Sequence, residues 1–319
     1  MKILFVTNMY PTKERPGYGS FIKREVESLT RSGQSVDVLY FPGYKSKLNY
    51  FKACFNVFTQ TVRNRYDVVH AHYGMSALPA LFRWRSPLVV TLHGSDALVG
   101  SIEPLISRIV CRLADAVIVV SPQIAARIPG RVIPIGVDCA KFKPRDRVEA
   151  RTRLGLSTDK QLVLFPYDPE RRIKRFDLAK AAVEKLKMTG HDVDLLIVSN
   201  VPGDEMPWYY SAADVMILCS DSEGSPCAVK EALACNIPVV STDVGDVTEI
   251  MEGVSGTVIC EQKVEALALG LEEVLLQEKN RGCEGFLAMG RYDLRRTVSA
   301  VMDVYRYVIE SRNGNSSLL

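Results

Sequence analysis

Two carboxylates eight positions apart, Glu223 and Glu231, bracket the stretch EGSPCAVKE, which follows one short apolar run and precedes another. Ser225 is a good N-cap and Pro226 suits the first helical position, so the spacing predicts a helix running through AVKEALAC to Asn236. At such a start Cys227 and Ala228 offer backbone N–H groups to an anion or a hydroxyl. Glu231, four residues after Cys227, shares its helix face, and Glu223 lies in the loop before the cap, where a carboxylate can accept hydrogen bonds from sugar hydroxyls. Two acids and a helix N-terminus within nine residues suit a polyhydroxylated, phosphorylated ligand; the plainer alternative is a pair of solvated surface charges.

Other loops carry groups of the same kind. His93, Gly94 and Asp96 stand where the run PLVVTLH gives way to a loop. A His there can donate to a substrate oxygen or polarise it, although a hydrogen-bonded structural His explains it as well. His70 and His72 in VHAHYG alternate across the end of another strand, so at most one faces a ligand, and both are read as structural. Arg171, Arg172, Lys174 and Arg175 crowd the segment between QLVLFP and an amphipathic helix. Fixed cations at a strand's carboxyl end suit a departing diphosphate, and a solvated charged face is the alternative. Pro16, Gly17 and Gly19 precede a helix starting near Ser20, an arrangement that lets backbone N–H groups approach a phosphate. GYGSFI lacks the third glycine of a dinucleotide fingerprint, which argues against a nicotinamide enzyme. The only D-x-D, Asp192-Val193-Asp194, begins a strand instead of following one, so it is read as structural and no metal is required.

These loops need a scaffold. With 319 residues, 47% of them hydrophobic, the chain is long enough for two domains of about 150 residues each. Short runs rich in Val and Ile at 2–7, 35–41, 67–72, 87–93, 116–121 and 131–135 alternate with segments of helical spacing. The pattern pauses at the charged stretch GVDCAKFKPRDRVEARTRLGLSTDK and resumes at 161–166, 193–199, 214–220 and 237–242, with a weaker edge candidate at 254–259. Strands apolar on both faces and alternating with helices indicate parallel sheets covered on both sides. The fold class is therefore α/β, with two doubly wound domains whose ligand loops follow the strand ends. The linker is placed near 138–150, giving domains 1–140 and 141–295. Leu294, Val298, Val301, Tyr305 and Val308 then mark a C-terminal helix, 296–312, expected to return to the first domain. The tail NGNSSLL is expected to be disordered.

Charge is unevenly spread: residues 1–146 hold twenty Lys and Arg against ten Asp and Glu, and the remainder twenty against twenty-seven. A basic half attracts phosphorylated substrates, anionic lipid or nucleic acid, and charge alone does not choose among them. Eight cysteines without a C-x-x-C pair, several inside apolar runs, suggest a reducing compartment and no zinc. The start MKILFVTNMYP is too short an apolar run for a signal peptide, and no run of about 18 apolar residues occurs. Residues 44–65 mix Lys45, Lys47, Lys52, Arg63 and Arg65 with Phe51, Phe55, Val57 and Phe58. Such a helix either lies on an anionic membrane and admits a lipid-linked acceptor or simply packs on the sheet. The expected location is the cytoplasm, with at most peripheral contact at the inner face of the cell membrane.

Together these stretches resemble the retaining glycosyltransferases of the GT-B fold, family 4, whose E-x7-E signature SEGSPCAVKEALACNIPVV matches. The likeness covers nearly the whole chain: the glycine-containing first loop, DVVHAH, TLHGSD, IPIGVDxxxFxP, KRFDL and AADVMIL. Among subgroups the chain is most similar to enzymes that build bacterial surface polysaccharides. The resemblance implies two Rossmann-like domains facing a central cleft. It implies transfer of a sugar from a nucleotide diphosphate donor to a glycan or lipid-linked acceptor, with no metal, no cofactor and no nucleic-acid partner. By residue, it implies Glu223 and His93 at the transferred sugar, Lys174 at the leaving diphosphate and Glu231 on the nucleotide ribose. Gly224, Ser225, Pro226, Cys227 and Ala228 would line the sugar and phosphates, with Gly19 approaching the phosphates from the other domain.

The sequence departs from the family where members usually carry Gly-Arg before the lysine loop. Pro166 and Tyr167 stand there, and Arg171 or Arg172 is the candidate replacement cation. The first glycine pair is GYG, Ile135 precedes Gly136 where an Asn is usual, and SNVPGDEMPWYY is short in a region that commonly reaches the nucleotide base. Retention of both glutamates, His93 and Lys174 favours an active transferase over a non-catalytic nucleotide-sugar-binding or partner protein.

Overall fold

The computed structural model describes residues 1–98, 100, 102–276, 284–312 and 314; Cys283 and all of the tail NGNSSLL except Gly314 lie outside the described residues. The chain forms two compact units, one from residues 1–12, 18–136 and 294 onward, the other from 13–17 and 137–293.

In the first unit β1 (Lys2–Thr7), β2 (Ser35–Tyr40), β3 (Val68–His72), β4 (Leu88–Leu92), β5 (Ala116–Val119) and β6 (Arg131–Val132) make a parallel sheet ordered β2-β1-β3-β4-β5-β6. β3 and β4 are buried along their whole length, as strands covered on both faces must be. One face carries the helices Leu48–Arg63, Gly74–Ala80 and Glu103–Arg112, which set Ala53, Val57, Ala77, Ala80 and Val110 against Leu4, Val69 and Val90. The other face carries Ser20–Arg31 and Leu294–Arg312; Ile22 and Leu29 from the first and Val301, Tyr305 and Val308 from the second cover Ile3, Phe5 and Val89. That apolar row explains why the last helix packs here. Gly136 is required where the chain leaves this unit, because a Cβ there would lie 2.6 Å from Leu294 Cα.

His70 and His72 do not alternate across β3. Residues two apart on a strand share a face, and the two rings lie 4.2 Å apart. Both are buried, in keeping with a structural role.

In the second unit β7 (Gln161–Phe165), β8 (Val193–Ile197), β9 (Val215–Leu218), β10 (Val239–Thr242) and β11 (Val258–Cys260) form a parallel sheet ordered β11-β10-β9-β7-β8. Helices Phe176–Met188 and Val264–Leu276 cover one face, and Met206–Ala212 and Cys227–Ala234 the other. The charged stretch after Gly136 is part of this unit. Val137 and Phe142 are core residues, and Asp146 caps the helix Arg147–Leu154 by accepting from the Glu149 N–H at 2.8 Å. Arg151 is buried because every direction of its guanidinium is met: Asp214 Oδ2 at 2.6 Å and the carbonyls of Ala212, Thr158 and Lys160. Asp194 and Asp192 pair with Lys160 at 3.0 and 3.8 Å. The described cysteines are all free thiols, and no described helix is long and apolar enough to cross a membrane.

Candidate active site

Two loops at the carboxyl ends of the neighbouring strands β7 and β9 meet in the second unit. The short turn Arg172–Lys174 is laced to the end of β9: the Asp221 N–H donates to Ile173 O at 2.9 Å, and Cys219 Sγ donates to Arg175 O at 3.1 Å. This lacing sets the Lys174 ammonium directly on Glu223 Oε1, with the two side chains only 7% and 13% exposed. Ser220 Oγ donates to the same oxygen at 2.7 Å. The Tyr167 ring lies against the ammonium, 4.1 Å from nitrogen to centroid. Burial draws the Lys174 pKa down, and the Glu223 carboxylate acts against that shift. Tyr167 is held well above the ordinary phenol range, first by burial and then by the charges of Glu223, Cys227 and Glu231. Its hydroxyl is therefore within electrostatic reach of both glutamates and of the helix start, and it has no hydrogen-bond partner among the described residues.

The helix of the signature spans Cys227–Ala234 and is shorter than its spacing predicts. Pro226 occupies the N-cap with φ −68° and ψ 110°, and no side chain caps the helix; Asn236 ends it in the left-handed region at φ 57°. Ser225 is turned elsewhere: its hydroxyl donates to Asp246 Oδ2 at 2.6 Å and accepts from the buried Lys230 ammonium. Asp246 follows β10, and the adjoining Gly245, at φ 64°, passes so close that a Cβ would sit 2.9 Å from Gly224 O and 3.1 Å from Glu223 O. The β10 loop thus packs against the backbone of Glu223 and Gly224, in the segment between β9 and the helix. Glu231 is buried and accepts from the Tyr210 hydroxyl at 3.0 Å.

Of the two candidate replacement cations, Arg171 is the one whose charge reaches Lys174 and Tyr167. Arg172 is exposed and lines a depression with Pro169, Phe176 and Asp221.

In the first unit His93 sits just beyond β4. Its Nε2 lies 3.1 Å from His72 Nδ1, and the two rings stack at 5.3 Å between centroids. The rings of Tyr73 and Phe21 lie 4.5 and 5.0 Å away. Burial lowers the His93 pKa to about 3, so the imidazole is neutral, and its Nδ1 has no partner among the described residues. Asp96 acts as a clamp. Its Oδ1 accepts from the N–H groups of His93 and Gly94 at 3.0 and 2.9 Å, and its Oδ2 from that of Gly74 at 3.0 Å. Burial raises the Asp96 pKa to about 6 although these N–H groups favour the carboxylate. Gly19 has φ 74°, and a Cβ there would meet Met9 O at 2.7 Å, so the chain's own backbone already requires a glycine. Glu25, His70 and His72 bring three donor atoms within 4.8 Å of one another. Both nitrogens of His70 are engaged, with the Tyr305 hydroxyl at 2.6 Å and Thr91 Oγ1 at 2.7 Å, so this group offers a metal at most Glu25 and His72.

Sequence reasoning overlooked Tyr210, Lys230, Asp246 and Ser220. Lys230 stands inside the quoted signature, but nothing in spacing alone shows that a helical lysine turns inward to a serine five residues earlier.

The arrangement in the second unit can hold a negative charge at a buried ammonium and a helix start, with carboxylates beside it for hydroxyl groups. The profile described as Glycosyltransferase Family 4 matches residues 5–141, and that described as Glycosyl transferases group 1 matches residues 175–277. TuaC of Bacillus subtilis, named for teichuronic acid biosynthesis, is 27% identical over 84% of this chain and 87% of its own. A D-inositol 3-phosphate glycosyltransferase of Thermobifida fusca is 28% identical over 76% of this chain and 69% of its own. Sucrose-phosphate synthase from Thermosynechococcus elongatus shares the fold, with TM-score 0.81 and 19% identity over 97% of this chain and 99% of that one. Anabaena HepE in complex with UDP and glucose does so with TM-score 0.69 and 17% identity over 95% and 99%. The two parallel-sheet units are those of a glycosyltransferase of the GT-B fold. The chain belongs to glycosyltransferase family 4 and is an enzyme of that class.

Proposed function

We propose that the enzyme moves a sugar from a nucleotide diphosphate donor to a glycan or lipid-linked acceptor, with retention of anomeric configuration and without a metal ion. Assembly of a surface polysaccharide is the setting. The observation that carries this reading is the buried Lys174–Glu223 pair beside the start of the helix Cys227–Ala234. The similarity to TuaC and the UDP-sugar complexes of HepE support it.

When the bond from the anomeric carbon to the diphosphate breaks, negative charge develops on the leaving oxygen. The Lys174 ammonium and the N–H groups of Cys227 and Ala228 stabilise it. Glu223 accepts from the sugar hydroxyls and favours the positive charge of an oxocarbenium-like state. Glu231, oriented by Tyr210, accepts from the ribose hydroxyls. The neutral His93 of the first unit keeps Nδ1 available for a hydroxyl group. The acceptor hydroxyl attacks the anomeric carbon on the face that the diphosphate leaves, and its proton passes to the departing phosphate oxygen as the new glycosidic bond forms.

The test is nucleotide release from a panel of UDP-, GDP- and ADP-sugars, with and without EDTA, by wild type and Glu223→Ala. Release that resists EDTA and vanishes in the variant is expected, and NMR of the product should show a retained anomer. If no donor is bound or cleaved, the reading fails; EDTA sensitivity or an inverted anomer removes those parts of it.

A further inference from the structure

On one face of the first unit's sheet, two helices expose apolar rows that nothing in the chain covers among the described residues. On Leu48–Arg63 the row is Leu48, Phe51, Phe55, Phe58 and Val62, with Phe51 74% and Phe55 68% exposed. At about 3.6 residues per turn these five fall in one narrow arc, on the opposite side from the buried Ala53, Val57 and Thr61. The helix Glu103–Arg112 repeats the pattern. Ile102, Leu105, Ile109 and Leu113 at and beyond its ends form an exposed row, while Ser107, Val110 and Cys111 are buried.

The two rows belong to one surface. Ala53, Val57, Val110 and Cys111 enter the same core cluster, together with the short helix Gly74–Ala80. The loop after that short helix exposes Phe82 and Trp84, and the Trp84 ring meets Phe58 at 6.2 Å between centroids. An exposed apolar area of this kind marks an interaction face.

Its charge selects the partner. Between residues 44 and 65 there are five Lys and Arg and no Asp or Glu. Lys47, Lys52 and Arg63 flank the apolar row. Arg108 and Arg112 stand beside the second row, and the Arg85 guanidinium lies over Trp84 at 5.3 Å. Aromatic and aliphatic rows on outward-facing helices, edged by cations, suit the headgroup boundary of an anionic bilayer, where rings enter and ammonium groups meet lipid phosphates.

We infer that the outer face of the helices Leu48–Arg63 and Glu103–Arg112, with Phe82 and Trp84, is a docking surface for an anionic lipid bilayer. It rests on the surface alone and holds whether or not the proposed transfer reaction is right.

The test is co-sedimentation of the protein with phosphatidylcholine vesicles, with and without phosphatidylglycerol, at low and high salt. Wild type binds the anionic vesicles, and salt weakens the binding. Phe51→Ser/Phe55→Ser and Leu105→Ser/Ile109→Ser each reduce the bound fraction severalfold. Each of Lys47→Gln and Lys52→Gln weakens partition about fivefold. These side chains are exposed, so circular dichroism and nucleotide release of the soluble variants stay as in wild type. Absence of binding, equal binding to pure phosphatidylcholine, or binding untouched by both serine pairs overturns the inference. A wild-type dimer in solution that the serine pairs make monomeric also overturns it, because the face would then pair with a second copy.

Discussion

Lys174 and Glu223 form an ion pair beneath the surface of the second unit, with Ser220 donating to the same carboxylate oxygen. The two residues implied to serve the diphosphate and the sugar are thus paired with each other. An anionic ligand that takes the ammonium competes with Glu223 for it. Glu223→Gln removes the competing charge and should bind a free nucleoside diphosphate about three- to tenfold more tightly than wild type while losing transfer. Calorimetry measures the affinity; equal or weaker binding shows that Lys174 does not leave Glu223 for the ligand.

Lys174→Ala removes the buried cation from the leaving group's side. Nucleotide release should fall about 100- to 1000-fold in kcat, the scale of losing one fixed group that stabilises developing charge. A variant that keeps most of its kcat and changes only the donor KM would place Lys174 in ground-state binding instead.

Tyr167 stands where a family arginine was expected, and its ring carries Lys174 at 4.1 Å. A cation over an aromatic ring in a desolvated site is worth about 1–2 kcal/mol. Tyr167→Phe keeps the ring and should keep the position of Lys174, whereas Tyr167→Leu should lower kcat/KM about five- to thirtyfold. Equal losses in the two variants would assign the effect to the hydroxyl, and no loss in either would show that the ring does not position the lysine.

The sheets were legible because parallel strands buried on both faces are written as unbroken Val- and Ile-rich runs. The runs placed β3, β4, β7 and β9 closely, and the loops that follow them could be read as site loops. The burial of Arg151, just beyond the linker expected at 138–150, was not legible locally because it depends on acceptors at Thr158, Lys160, Ala212 and Asp214, some of them sixty residues away. Ser225 was misread for a related reason. Its residue type fits a cap, and only the return of the chain at Gly245 and Asp246 gives its hydroxyl a better partner. Local propensity finds what a residue can do by itself, and tertiary neighbours decide which of those things it does.

If Ser225 links Asp246 and Lys230 instead of capping the helix, its removal is felt through Asp246. Ser225→Ala should cost about 1–3 kcal/mol in urea unfolding. Ser225→Ala and Asp246→Asn together should cost less than the sum of the two, with a coupling of about 0.5–3 kcal/mol. Strict additivity would mean that the serine acts on the helix by itself.

Three buried histidines and the half-buried Glu25 of the first unit set opposite slopes of stability with pH. Burial lowers the pKa of His70 and His93 to about 3 and draws that of His72 well down. As pH falls from the ordinary histidine value near 6.5 towards 3, the unfolded chain takes up protons that the folded chain refuses, and stability is lost. Burial raises the Glu25 pKa from 4.5 to about 8. As pH rises from 4.5 to 8 the folded chain keeps a proton that the unfolded chain has released, so Glu25 removes stability over that window, on the order of 4 kcal/mol in all. Glu25→Gln keeps the shape and cannot ionise. Urea unfolding at pH 5.5, 7.0 and 8.5 should therefore show the wild type weakening relative to the variant as pH rises, with the largest gap at pH 8.5. Parallel pH profiles for the two proteins would mean that the Glu25 carboxyl titrates in the folded chain as it does in water.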